Sequence, residues 1–459
     1  SLGQVLQPAI ELAENGFPVY ESLRSFIANN EPRFAERYPT THALYCPQGR
    51  IPTVGEFLPN PDLAHTYRLL VQAEKEAQGQ GRIAGLEAAR DAFYKGEIAE
   101  RIVEFIRSHP VQDDTGATHP ALLSFEDMSA WHAEIEEPLS IDYRGLQVHK
   151  CSSWTQGPVF LQQLALLEGF DLASMGHNSA DYLHVWIECA KLAFADREAY
   201  YGDPTLDPVP FDILLSKEYA ARRRQLIGET ASLEMRPGTA GTVFPEYATL
   251  PILEDNRRAL GASHTGDTTH LDAVDAAGNM VAATPSGGWI QSSPVIAGLG
   301  FPLGTRGQMF YLNPHRPNAL APHKRPRATL TPSLVTKDGQ PFMVFGTPGG
   351  DAQDQWTLQF FLNYVDFGMD LQSALDAPTV TCLHFPSSFY PREAHPGLVA
   401  LEHSIPSHTV AELEQRGHAV EVHEDWVNGK VMGIRYDQER GVILGAASPK
   451  NVIAYAIGW

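Results

Sequence analysis

Gly266-Asp267-Thr268-Thr269-His270 stands where the chain changes from helix to strand. Beyond it, His270–Val274 and Met280–Thr284 alternate apolar and polar residues, with Ala276-Ala277-Gly278-Asn279 as the turn between them, which predicts a β-hairpin. Before it, residues 229–266 carry Pro237, Gly238, Gly241, Pro245, Pro251 and Gly261 with weak periodicity, and read as an irregular connector. A threonine heading a strand after such a connector fits a self-cutting site. Its hydroxyl can attack the carbonyl of Asp267, water can hydrolyse the resulting ester, and Thr268 is then left with a free α-amine. With a reference pKa of about 7.7–8.0, that amine can take the proton from Thr268 Oγ near neutral pH. One residue thus supplies nucleophile and base at fixed geometry. The residues alone leave ordinary strand threonines as the alternative.

Outward from this point, the two sides differ. On the N-terminal side, Gln4–Asn15 shows a helical apolar face (Val5, Leu6, Ala9, Ile10, Ala13) that Gly16 ends. Asp62–Ala77, Ile83–Ser108, Gln156–Gly169 and Ala180–Tyr201 continue the helical pattern, broken at Asp142–His149 by a turn into a short strand. On the C-terminal side, Ser333–Val335 and Pro341–Phe345 flank Lys337-Asp338-Gly339 as a second hairpin. Helices are predicted at Gln353–Phe367, Leu371–Ala377 and Thr409–Arg416. Strands are predicted near Thr379 and Val399 and at His418–His423, Val431–Arg435 and Val442–Ala446. The expected organisation is a mostly helical part, 1–267, and a β-rich part, 268–459, in one joint fold of sheets sandwiched by helices.

Composition excludes several classes. The net charge is −21, so nucleic acid and anionic membrane surfaces are poor partners. No apolar run is long enough to span a bilayer. Cys46, Cys151, Cys189 and Cys382 are far apart, which points to reduced, buried thiols and not to a zinc site or a disulfide framework. His403, His408, His418 and His423 lie close in sequence, but their spacing does not set a metal site, and packing or surface roles are expected. There is no G-x-S-x-G, H-E-x-x-H or phosphate-binding P-loop pattern, and Gly298, Gly300 and Gly304 have the wrong spacing for a dinucleotide loop.

Two further stretches can carry chemistry. Gly346-Thr347-Pro348-Gly349-Gly350 lies between a strand and a helix, where approachable N–H groups could form an oxyanion hole; a plain turn is the alternative. Lys324-Arg325-Pro326-Arg327 could bind a substrate carboxylate or form a solvated turn.

Together these pieces resemble the γ-glutamyltranspeptidase family of N-terminal-nucleophile hydrolases. Pro8-Ala9-Ile10-Glu11-Leu12-Ala13, Phe93-Tyr94-Lys95-Gly96, Asp142-Tyr143-Arg144-Gly145 and Ala195-Asp196-Arg197 look like its large subunit. Thr268-Thr269-His270, Val274-Asp275, Gly278-Asn279, Lys324-Arg325-Pro326 and Pro348-Gly349-Gly350 look like its small subunit. The resemblance implies an α/β, four-layer αββα sandwich, self-cleavage between Asp267 and Thr268 into two subunits that stay associated, and no metal or organic cofactor. It implies Thr268 as nucleophile, Gly349 and Gly350 as the oxyanion hole, Ser286 as a hydroxyl facing the nucleophile's amine, and Gln308 in the substrate site. Pairing of two processed heterodimers into a homodimer is left open.

Four positions depart from the family pattern. Tyr311 replaces an Asp that holds the glutamyl ammonium, Gly288 replaces an Asn, and Ala328 and Thr329 replace a pair of serines that bind the substrate carboxylate. A buried ammonium without its anion costs roughly 3–5 kcal/mol. The site is therefore expected to be more apolar, with Trp289, Phe310 and Tyr311 around it. An Arg that binds the substrate carboxylate is expected in a segment ahead of Ser1. The expected activity is hydrolysis of a small-molecule amide through an acyl-enzyme on Thr268, with a small carboxylated amide such as oxamate as substrate and the cytoplasm as location. The alternatives are true γ-glutamyl transfer, a cephalosporin-type acylase, and an uncut, non-enzymatic scaffold.

Overall fold

The structure is a computed structural model that describes residues 1–113, 116–240, 268–287, 290–390, 392–450 and 454–458. These residues fall into two compact units, one of residues 1–135 and 287–305, the other of residues 136–286 and 306–459. This division is one of packing and does not bear on the expected cut at 267/268.

The first unit is helical. Its helices Leu2–Asn15 and Pro61–Ala77 pack through Ile10, Ala13, Ala64 and Val71. Gly16 ends the first helix with φ 80°. The expected helix over Ile83–Ser108 is two, Arg82–Tyr94 and Glu97–Ser108. They part at Gly96, where a Cβ would meet the Ala92 carbonyl oxygen at 2.8 Å. At the head of Pro61–Ala77, Asp62 accepts from the Gly298 N–H and Asn60 donates to the Gly300 carbonyl.

The second unit holds a six-stranded antiparallel sheet. We label its elements in chain order: β1 Leu139–Tyr143, β2 Leu146–Lys150, α1 Gly157–Leu167, α2 Ala180–Tyr200, β3 Leu271–Val274, β4 Met280–Ala283, β5 Ser333–Lys337, β6 Gln340–Gly346, α3 Gln353–Val365, β7 Val380–Cys382, β8 Leu398–Glu402, β9 Ala419–His423, β10 Met432–Asp437 and β11 Val442–Ala447. The sheet order is β11-β10-β6-β5-β2-β1. The β5–β6 turn has positive φ at both Asp338 and Gly339, the pair that a tight hairpin turn requires. Helices α1 and α3 pack on one face of the sheet, where Phe160, Phe345 and Phe361 meet with ring centroids 5.7–6.0 Å apart. The β3–β4 hairpin packs against the other face, over β6 and β10. A separate sheet, β7-β8-β9, lies beside α3. The expectation of mixed helix and sheet is met, with helices, sheet and hairpin as successive layers.

Helix α2 is buried all round; of its residues only Asp181 is not buried. Charged side chains inside such a helix must be paired. Glu188 bonds Lys191 and Arg236, Asp196 bonds Tyr219 and the Gly238 N–H, and His184 meets His418 at 2.9 Å. His418 therefore has the packing role expected for it. Among the described residues no cluster of His, Cys, Asp and Glu could hold a metal, and all four cysteines are free thiols, three of them buried.

Candidate active site

Thr268 precedes β3 and is half-buried. Its Oγ1 lies 2.9 Å from Ser286 Oγ, just beyond the end of β4, and the Thr269 N–H donates to the Pro285 carbonyl at 3.2 Å. The hairpin thus brings the two sequence-predicted hydroxyls together from eighteen residues apart. Asp267, the other side of the expected cut, lies outside the described residues, as do Gly288 and Trp289.

His270 anchors the head of the hairpin. Its Nδ1 meets Thr284 Oγ1 at 2.8 Å and its Nε2 meets Asp272 Oδ1 at 3.0 Å. Burial pushes the Asp272 carboxyl above the usual range, and His270 opposes this. The imidazole fills the space over Gly346, where a Cβ would come within 2.2 Å of His270 Cε1. Only glycine at this last residue of β6 lets the hairpin seat. That contact brings the start of β3 beside the point where the Thr347-Pro348-Gly349-Gly350 turn leaves β6.

The turn then enters a short 3-10 turn, Gly350–Ala352, and α3. Gly349 has φ 136° and Gly350 φ 56°, and a Cβ on Gly349 would meet Trp356 Cζ3 at 2.4 Å. The Gly349 and Gly350 carbonyls are engaged, by the Ala352 N–H at 3.0 Å and by Gln156 Nε2 at 3.3 Å. Their N–H groups stand at the start of a helical segment, where no intrahelical acceptor is available, so they suit a developing negative charge.

Around this turn runs a charged network that sequence reading did not find. Arg197 bonds Asp351 and reaches Gln156 Oε1 at 3.0 Å, and it pairs with Glu198 at 2.9 Å. Glu198 also takes Arg327 at 2.8 Å and the Tyr311 hydroxyl at 2.6 Å. Asp351 accepts from the Ser388 hydroxyl at 2.6 Å and N–H at 2.8 Å. Arg392 donates to the carbonyls of Gln308, Met309, Phe310 and Ser388, and lies 4.2 Å from the Tyr311 ring centroid.

Tyr311 is therefore not the apolar wall expected from the sequence. Its hydroxyl is tied to a carboxylate, and its ring is flanked by Arg392 and, at 4.7 Å, by Arg316. Burial and Glu198 together push its pKa up to about 12. The basic stretch is neither a solvated turn nor free for substrate. Lys324 pairs with Asp207, Arg325 with Asp203 and Glu136, and Arg327 is buried on Glu198. Gln308 is exposed, and its backbone carbonyl accepts from Arg392. Thr329 is 1% exposed and its hydroxyl has no partner among the described residues.

Burial works to raise the Glu198 pKa, but Arg327 and Arg197 outweigh it and hold the carboxyl down to about 2. Against an ordinary value of about 4.3, the stabilisation from this carboxylate is fully present above about pH 4.3 and is lost as pH falls toward 2. Glu198→Gln is expected to flatten the acid side of a plot of unfolding midpoint against pH. An acid limb equally steep in the variant would show that other carboxylates govern it.

A model of the family described as gamma-glutamyltranspeptidase matches residues 1–457. A solved structure of LmbA2991HD has a TM-score of 0.94 and 44% identity, covering 100% of this chain and 78% of that one. The crystal structure of cephalosporin acylase from Bacillus halodurans has a TM-score of 0.78 and 31% identity, covering 98% of this chain and 73% of that one. The glutathione hydrolase-like YwrD proenzyme of Bacillus subtilis (strain 168) is 30% identical over 454 residues, 98% of this chain and 75% of its own length.

Proposed function

The chain belongs to the γ-glutamyltranspeptidase family, and from that premise we propose that it is a self-processing amidohydrolase whose nucleophile is Thr268. One observation carries the reading: the Thr268 hydroxyl, at the head of the hairpin, faces the Ser286 hydroxyl at 2.9 Å. In the proposed reaction, Thr268 Oγ first attacks the Asp267 carbonyl and the chain is cut there. The freed amine of Thr268, held by Ser286, then takes the proton from Oγ as the hydroxyl attacks the substrate amide. The tetrahedral oxyanion is held by the Gly349 and Gly350 N–H groups, the amine leaves, and water hydrolyses the ester. The two fragments, residues 1–267 and 268–459, stay together as one enzyme. We read the helix, sheet and hairpin layers as part of a four-layer αββα sandwich.

The substrate we propose is a small carboxylated amide such as oxamate. Support comes from the charge around the turn: Glu198 and Asp351 are engaged by Arg197, Arg327, Tyr311 and Ser388, and Asp354 is paired with Lys150, so each of these carboxylates already carries a cationic partner that a glutamyl ammonium would have to displace. A denaturing gel should show two fragments that meet at residues 267 and 268, and the purified protein should release ammonia from oxamate faster than aniline from γ-glutamyl anilide. One uncut band with no turnover would favour a scaffold. Preference for the γ-glutamyl compound would favour a transpeptidase.

A further inference from the structure

Three side chains follow one another along one face of the hairpin that carries the nucleophile. In an extended segment alternate residues share a face, so Thr268, His270 and Asp272 lie on one side of β3 and its lead-in. The ladder pairs Leu271 with Ala283 and Asp272 with Ala282. Carried outward, the same register sets His270 against Thr284 and Thr268 against Ser286. The side-chain bonds agree: His270 Nδ1 meets Thr284 Oγ1 at 2.8 Å, and Thr268 Oγ1 meets Ser286 Oγ at 2.9 Å.

The backbone does little to hold that last stretch. Pro285 has no N–H to give. Among the described residues, the backbone hydrogen bond that crosses it runs from the Thr269 N–H to the Pro285 carbonyl at 3.2 Å. A slip of one residue would turn Ser286 to the opposite face, away from Thr268. The buried His270–Thr284 pair, next along the face from the nucleophile, is placed to prevent that slip.

That pair depends on where the imidazole carries its proton. A neutral imidazole donates through one nitrogen and accepts at the other. The ring is confined by its packing over Gly346. Its Nε2 faces Asp272 Oδ1 at 3.0 Å, and an ionised carboxylate can only accept. The proton therefore belongs on Nε2, which leaves Nδ1 to accept from the Thr284 hydroxyl. Asp272 is poorly placed for stability. Its side chain is 3% exposed, and Oδ2 has no partner among the described residues. A buried carboxylate with an open oxygen is costly. Packing alone would not call for one at this position.

We propose that Asp272 is a positioning residue for the nucleophile: it keeps the His270 proton on Nε2, so that Nδ1 holds the Thr284 hydroxyl and the hairpin stays in the register that sets Ser286 opposite Thr268. This rests on the reading of Thr268 as nucleophile and goes beyond it.

The test compares Asp272→Leu, Asp272→Asn, Thr284→Val and the double variant Asp272→Leu/Thr284→Val in the full chain. Self-cutting is followed on denaturing gels from the time of synthesis. Turnover is measured with oxamate or γ-glutamyl anilide, whichever the unaltered enzyme uses, well below the unfolding midpoint of every variant. Asp272→Leu should slow the cut and lower kcat at least about tenfold, with KM changed less than about twofold, because it misplaces reacting groups without touching substrate. Asp272→Asn keeps an accepting oxygen and should stay within about threefold of the unaltered enzyme on both measures. The double variant should be no slower than the slower single one, because both changes act through His270. In protein labelled with nitrogen-15 at histidine, the His270 signals are those lost in His270→Gln. They should show the proton on Nε2 in the unaltered chain and in Asp272→Asn, and on Nδ1 in Asp272→Leu. A proton on Nδ1 in the unaltered chain, unimpaired cutting and turnover in Asp272→Leu, an Asn variant as slow as the Leu one, or losses that multiply in the double variant would each overturn the proposal. An uncut, idle unaltered chain would refute the amidohydrolase reading instead; the tautomer of His270, which needs no turnover, then decides the part played by Asp272.

Discussion

Thr268→Ala should leave a single uncut chain and lower amide turnover by at least about a thousandfold, because it removes the group that both cuts the chain and forms the acyl-enzyme. The mutation deletes one hydroxyl that is half-buried and bonded only to Ser286 Oγ among the described partners. Its effect on folding should therefore be small, about 1 kcal/mol. A denaturing gel, a substrate assay and a denaturant melt on one preparation separate the two effects. Thr268→Ser is the companion variant. It restores an attacking oxygen without the methyl group, and should recover the cut and part of the turnover. Normal turnover by Thr268→Ala would remove this residue from the reaction.

Gly349→Ala should be nearly as damaging for a different reason. Its φ of 136° is a conformation that side chains rarely adopt, and the new methyl would press on Trp356 at 2.4 Å. Trp356 is held in turn by Thr381 Oγ1 at 2.9 Å and is 7% exposed, so it has little room to give. The turn must move, and the N–H groups move with it. Loss of one oxyanion donor typically costs about 100- to 1,000-fold in kcat, and the expected loss here is of that order, with KM little changed. Gly339→Ala is the control. That glycine also has positive φ, but open space surrounds it and it lies in the β5–β6 turn, away from Thr268. It should lower stability by about 1 kcal/mol and spare kcat. An equal loss of kcat in both variants would show that general strain, and not the oxyanion site, is being read.

Most elements were legible because they are local. The alternation of His270–Val274 and Met280–Thr284 predicted the hairpin that is seen, and Asp338-Gly339 predicted the β5–β6 turn. The apolar periodicity of Ala180–Tyr201 gave helix α2, although not that this helix would be buried on every side. The break at Gly96 was missed, since Ile83–Ser108 keeps its periodicity across it and the obstacle is a backbone oxygen one turn away. Ser286 could be named only through the family resemblance, and the folded hairpin is what sets it against Thr268. The charged network could not be read. Tyr311 and Glu198 are 113 residues apart, Arg197 and Asp351 are 154 apart, and no spacing rule joins them. Arg327 stood out only as one of three basic residues, and Arg392 carried no local signal. The need for glycine at 346 and 349 likewise depends on His270 and Trp356, which are neighbours only in the folded chain.

The six-stranded sheet joins the two halves of the chain along one ladder. Strands β1 and β2 come from before residue 268, the other four from after it, and the seam is the β2–β5 ladder that pairs Gln147–Lys150 with Ser333–Thr336. Buried Lys150 reinforces the seam through the Thr331 carbonyl, Ser333 and Asp354. Scission at 267/268 would sever a covalent tether without opening that zipper. Either fragment produced by itself would present a raw sheet edge and half a core, and should collect in inclusion bodies until its counterpart is supplied.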